Sequence, residues 1–372
     1  MKQSLLLYLF VVLSFFSASG EVIYSEQLVK KANAGDVSSM EDLGLCYFEG
    51  NGIEQDISKA LEWWEKAAEK GGIYAMGYLG IEYLYGNLEV PQDYEKAKKW
   101  FTLAANNGET ISMKNLGFIY AIEDDFETSF YWYKKAADKG NAESMRVLGM
   151  MYETGSGVIQ DSKKALEWYH KAANDGDTDA LYLIGGYYQD HGDDTSALEW
   201  YQKAADKGHD KAMFRLFRMY FSDSEYWDYE KGLEYLRKSA DHGNADAMYW
   251  SGLCCEYGVD KCGIDDSYIN YDRAMEWYLK AARKGNIDAI CMIGEMYYYG
   301  KGVTQDFKTA FEYLNAASTC KEPSGLAMKF LSECYRFGYG VTRDLEKADL
   351  WLMKAQEDGC IEATDLLKEL KR

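Results

Sequence analysis

Apolar positions along the chain follow two helical patterns that alternate. In the first, Ala75, Leu79, Gly80 and Tyr83 recur as Ser144, Leu148, Gly149 and Tyr152, and again as Ala289, Ile293, Gly294 and Tyr297. Offsets of four, five and eight residues place these side chains on one face of a helix, helix A. In the second, the run from Lys59 to Ala68 recurs from Lys164 to Ala173 and from Ala197 to Ala205, with Trp63, Trp168 and Trp200 as its aromatic anchors. Weaker copies centre on Trp100, Trp132, Tyr235, Trp277, Tyr313 and Trp351, so nine anchors follow one another in steps of 37, 32, 36, 32, 35, 42, 36 and 38 residues. A step of about 36 residues with loops of variable length predicts a stack of helix A and helix B pairs.

Local signals bound each element. Asp56, Asp161, Asp306 and Asp344 stand where helix B begins and suit capping or first-turn positions. Gly140, Gly208 and Gly285 follow a lysine-bearing last turn and suit the left-handed end of a helix. Between helix A and helix B stand Gly50-Asn51-Gly52-Ile53, Gly155-Ser156-Gly157-Val158, Gly300-Lys301-Gly302-Val303 and Gly338-Tyr339-Gly340-Val341. The complete pattern resembles the Sel-1-like repeat, a relative of the tetratricopeptide repeat. That resemblance implies an all-α fold, a right-handed superhelical α-solenoid of about nine two-helix repeats over residues 37–360. Residues 21–36 and 361–372 read as half-repeat caps that close its two ends. The pattern breaks where Phe217 and Ser332 replace the helix A glycine and where the loops near Glu123 and His191 shorten.

Residues 1–20 lie outside the repeat. A basic start, an apolar run from Leu5 to Phe16 and small residues at Ala18 and Gly20 fit a signal peptide cleaved after Gly20, and hence a secreted or periplasmic protein. A run of that length is short for a membrane span, and no other stretch is apolar enough for stable membrane insertion. The formal net charge is −20. Such a balance argues against a nucleic-acid or anionic-membrane partner, both of which call for clustered basic residues. Eight cysteines in an oxidising compartment predict disulfides among 105 connectivities that the sequence does not decide, and Cys255 and Cys262 flank a short loop they could close.

Candidate chemistry is sparse. The Gly-x-Gly loops lack the strand and glycine spacing of a phosphate cradle and read as turns. His170, His191, His209 and His242 have no metal-ligand spacing, and Asp260, Asp265, Asp266 and Asp272 do not reproduce a calcium loop. No metal or cofactor is therefore expected, and no catalytic residue is assigned. Ser318-Thr319-Cys320-Lys321 matches the Ser-x-x-Lys of penicillin-binding enzymes, but the companion motifs are missing.

Trp63, Trp168, Trp200 and Trp277 read as packing between helices, as does the ladder Met40, Met76, Met113, Met145, Met213, Met248 and Met328. The position two residues after the small residue of helix A varies instead. It is aromatic in three successive repeats, at Tyr182, Phe214 and Tyr249, with Arg146 and Arg218 flanking. These five residues are the candidate binding surface for a protein or peptide, and extra packing between repeats is the simpler account of them. The expected function is a protein-protein interaction scaffold without intrinsic catalysis. The alternatives are a cysteine-rich penicillin-binding or weak β-lactamase-like enzyme using Ser318 and Lys321, and a cell-wall or glycan binder.

Overall fold

The computed structural model describes residues 22–87, 90–222, 226–258, 269–361 and 363. The leader over 1–20, loop residues Asp260, Cys262, Asp265 and Asp266, and most of the expected C-terminal cap lie outside the described residues. Nineteen helices, and no strands, stand among the described residues. The chain divides into two units, Met1–Ala180 and Leu181–Arg372.

In the first unit, α1 (Glu26–Asn33) precedes four helix A and helix B pairs. They are α2 (Val37–Glu49) with α3 (Ile57–Glu69), α4 (Ile73–Tyr85) with α5 (Tyr94–Asn106), α6 (Thr110–Ile122) with α7 (Phe126–Asp138), and α8 (Ala142–Thr154) with α9 (Ser162–Asn174). The unit boundary falls within α10 (Thr178–Asp190). The second unit continues with α11 (Asp194–Asp206), α12 (Asp210–Phe221) with α13 (Tyr229–Asp241), and α14 (Ala245–Tyr257) with α15 (Tyr271–Arg283). It closes with α16 (Ile287–Tyr299) and α17 (Phe307–Ser318), then α18 (Gly325–Phe337) and α19 (Leu345–Glu357). The fold is an all-α repeat solenoid.

The capping signals act where the pattern places them. Asp56, Asp161, Asp306 and Asp344 accept the backbone N–H of Lys59, Lys164, Thr309 and Lys347 at 2.9, 3.0, 3.2 and 3.0 Å. Gly140, Gly208 and Gly285 have φ of 90°, 85° and 89°. The same N–H donors, with the neighbouring lysines, hold the carboxyls of Asp56, Asp161 and Asp344 below the ordinary aspartate range. A folded-state value below the unfolded one gives stability that is complete above about pH 3.9 and is lost as pH falls through the lower value. Thermal stability should therefore drop on acidification below about pH 4. Replacing all three by asparagine, which still caps, should flatten that acid limb, and an unchanged limb would locate the effect elsewhere.

Seven of the nine repeats close on the helix A glycine. A Cβ at Gly80, Gly117, Gly185 or Gly294 would come within 2.5, 2.8, 2.6 or 2.8 Å of Phe101, Tyr133, Tyr201 or Leu314. Gly44, Gly149 and Gly252 leave even less room against Trp64, Tyr169 and Tyr278. Those seven helix B residues are buried. The buried anchor is thus the residue after the conspicuous tryptophan. Trp63, Trp200 and Trp277 are only half-buried, and Lys66, Lys203 and Lys280 lie 4.6, 3.8 and 4.2 Å from their ring centroids. Trp168 is buried, with Lys171 at 3.8 Å. The methionine ladder is buried throughout, as its regular spacing predicts.

Exceptions to the glycine rule come with changes on the facing helix. Phe217 occupies the glycine position of α12 and is buried, while α13 offers the smaller Leu236 as its anchor together with Gly232. At Ser332 the buried anchor is Leu352. A hydroxyl on the anchor is matched four residues beyond the glycine: Tyr169, Tyr201 and Tyr278 donate to Glu153, Gln189 and Glu256 at 2.7, 2.9 and 2.8 Å. Where the anchor is Trp64, Phe101 or Leu314, that position holds Phe48, Leu84 or Tyr298. Tyr133 departs from this match, since Ala121 stands there.

The Gly-x-Gly loops join one repeat to the preceding one. Gly155 and Gly338 end α8 and α18 in the left-handed region. The N–H groups of Gly155 and Ser156 both donate to Met151 O, at 2.9 and 3.1 Å, so the turn spends its donors on its own helix. The second glycine does something different: Gly157 lies against the Phe126 carbonyl at the start of α7, and Gly340 against the Phe307 carbonyl at the start of α17. Where the loop shortens to residues 123–125, the preceding helix B is met instead by an ion pair, Lys98 with Glu123 at 2.9 Å.

Candidate functional site

In the second unit, α12 carries Lys211, Arg215 and Arg218 at offsets of four and seven, which align them along one helical face. Two of them open onto a cavity of about 380 Å³ whose lining includes Arg215, Phe217, Arg218, Phe221, Tyr226 and Trp250. Phe217 organises the aromatic wall. Its ring lies 5.1 Å from Phe221 and 5.7 Å from Trp250, the latter edge-on, and Phe214 also lies 5.7 Å away. Gln189, at the end of α10, and Asp194, at the start of α11, complete the polar lining. Gln189 accepts from Tyr201, and Tyr226 shares a hydroxyl–hydroxyl hydrogen bond of 2.6 Å with Thr195.

The five residues singled out by the repeat pattern are placed as follows. Tyr182 stacks on His209 with centroids 4.8 Å apart and receives Arg215 Nε at 3.4 Å. Phe214 and Tyr249 are half-buried, Phe214 against Phe217 and Tyr249 between Trp250 and Tyr278 at 6.4 and 6.1 Å. Burial is the main cause that pushes the Tyr249 hydroxyl well above the ordinary tyrosine range, with Asp288 adding to it. Arg218 is exposed and lines the cavity. Arg146 belongs to the first unit, where its Nε donates to Asp177 at 3.0 Å and Nη2 reaches Asp179 at 3.6 Å.

The varied helix A position recurs as a strut to the next repeat. Glu41 accepts Ala75 N–H at 3.0 Å, Lys114 meets Glu143 at 2.8 Å, and Arg146 and Tyr182 reach the capping residues Asp177 and His209. Arg215 and Trp250 stand one residue beyond Phe214 and Tyr249, so the pattern-based choice selected their neighbours. The available signals were the charge spacing along α12 and Phe217 in place of glycine.

Other chemistry-bearing groups are engaged locally. Ser318 is buried, and its hydroxyl donates to Leu314 O at 2.8 Å, while Lys321 is exposed. His209 caps α12 through Ala212 N–H at 3.0 Å. Cys46, Cys254, Cys291 and Cys334 are buried thiols, and burial is the main cause that raises Cys46 to about 11 and Cys291 and Cys334 to about 12. Among the described residues, no grouping of His, Cys, Asp and Glu is arranged to hold a metal ion. No helix among them is long and apolar enough to cross a membrane.

These packed pairs belong to a repeat protein of defined class. The Sel1 repeat model matches residues 37–72, 73–109, 112–141, 142–177, 178–209, 210–244, 245–286, 287–321 and 325–355, and the chain belongs to the Sel1 repeat family. Two solved structures are similar over nearly its whole length. A protective antigen present in uropathogenic Escherichia coli strains, displaying an SLR fold, is 28% identical with a TM-score of 0.63, covering 98% of this chain and 79% of that one. A Sel1 repeat protein from Oxalobacter formigenes is also 28% identical, with a TM-score of 0.53 and coverage of 97% and 93%.

Proposed function

We propose that this protein is a secreted or periplasmic scaffold that holds a protein or peptide ligand on its repeat surface and performs no catalysis itself. The observation that carries this reading is the cavity of the second unit. It combines aromatic side chains with exposed guanidinium charge, the residue types that dominate binding energy at protein interfaces. The leader pattern at residues 1–20 and the similarity to an antigen support an extracytoplasmic location. Ser318, with its hydroxyl donated within its own helix, lends no support to the penicillin-binding alternative.

The test is isolation of the protein from its producing cells after crosslinking. The mature chain is expected to begin at Glu21 by intact mass, outside the cytoplasm, and to carry one reproducible protein partner whose binding is reconstituted from purified components. Turnover of a small substrate that a single point substitution abolishes would overturn the non-catalytic reading.

A further inference from the structure

The described lining of the cavity is net positive on a chain whose formal net charge is −20. Among the described residues, the cavity lining holds two guanidiniums, Arg215 and Arg218, and one carboxylate, Asp194. Arg218 is exposed and forms no ion pair with a described residue, whereas Arg146 in the first unit is tied to Asp177. Arg215 is positioned by the Tyr182 hydroxyl. A guanidinium held this way recognises a carboxylate through paired N–H donors, with less side-chain entropy left to lose on binding.

Beside these charges stand Phe221 and Trp250, with Trp250 36% exposed, so the wall next to the arginines offers aromatic faces. At about 380 Å³ the cavity has room for a few side chains rather than a folded domain. Asp194 bears on the choice of anion. A strongly charged polyanion would meet this carboxylate and then the acidic remainder of the chain, whereas one carboxylate could sit by the arginines while a peptide N–H donates to Asp194.

Building on the scaffold reading, we infer that the cavity of α12 and α14 binds an acidic peptide segment of a partner protein, with a carboxylate next to an aromatic residue. The carboxylate lies between Arg215 and Arg218, and the ring packs on Phe221 and Trp250. Arg218 sets the charge preference, and Trp250 supplies the apolar contact.

The experiment uses the full mature chain and a fluorescently labelled, end-capped Glu-Phe-Glu peptide, read by anisotropy. The probe is expected to bind, to weaken as salt rises, and to bind at least tenfold more tightly than the matching Gln-Phe-Gln peptide. Arg218→Glu should weaken it at least tenfold with an unchanged thermal melt, since that side chain is exposed. Arg237→Glu, an equal charge change at an exposed α13 position outside the lining, should alter binding less than twofold. Trp250→Ala tests the ring contact and is interpreted beside its own melt. The inference is overturned by no binding at millimolar probe, by equal binding of the Gln peptide, by wild-type binding in Arg218→Glu, or by equal loss in Arg237→Glu. A native partner that binds Arg218→Glu as tightly as wild type leaves the scaffold reading in place and removes this cavity from it.

Discussion

Gly157→Ala is expected to loosen the third and fourth repeats by about 3 kcal/mol, a large loss for one methyl group. Two effects add. A residue other than glycine at φ 70° costs about 1–2 kcal/mol. The new Cβ also collides with the Phe126 carbonyl, which cannot swing aside as a flexible side chain would, and overpacking of this kind costs about 1–3 kcal/mol. In a repeat array stability is shared between neighbours, so hydrogen exchange should show protection falling across α7 and α8 first. Gly176→Ala provides the control: its φ is also positive, at 95°, but nothing stands within 4 Å of the added atom. Equal losses from the two substitutions would show that backbone strain alone matters and that the contact with Phe126 contributes nothing.

The second large effect is expected at Lys301. Its ammonium, carried by a Gly-x-Gly loop, lies 2.8 Å from Glu256 and 2.9 Å from Glu295, and the Glu256 side chain is 1% exposed. Removing one partner of such a pair strands the other charge out of water, a loss of about 3–5 kcal/mol. Lys301 is itself 28% exposed, which places Lys301→Met near the lower limit, about 3 kcal/mol in urea denaturation. Adding Glu256→Gln should recover part of that loss, because a glutamine still accepts from Tyr278, as Gln189 does from Tyr201. No recovery in the double variant would mean that Lys301 acts by packing rather than by balancing charge.

The fold could be read from the sequence because its rules are local. A carboxylate three residues before the N–H it accepts, or a glycine after a lysine-bearing turn, recurs at many helix ends, and Asp56, Asp161 and Gly140 follow such rules. The buried anchor was hidden by its variety. Trp64, Phe101, Tyr169 and Leu314 serve one purpose with four kinds of side chain, while the residue before the anchor is most often a tryptophan, half-buried at Trp63, Trp200 and Trp277. Gly157 was recognisable as a turn residue, but its meeting with Phe126 spans 31 positions and leaves no trace in the local pattern. The candidate site was legible at Arg218 and missed at Arg215 and Trp250 because one residue turns a helical side chain by about 100°. The glycine-based register therefore selected Phe214 and Tyr249, and Phe217 registered only as an irregularity although it organises the aromatic wall.

Two of the contacts between successive repeats differ in physical character. Gly157 against the Phe126 carbonyl is a steric contact with no charge to screen and no side chain to rotate. Lys98 with Glu123 is a compliant hinge, partly open to water, whose stiffness is tuned by the surrounding salt. Within the first unit, a contact that responds to salt thus stands beside one that does not, and ionic strength acts on the repeat joints unequally.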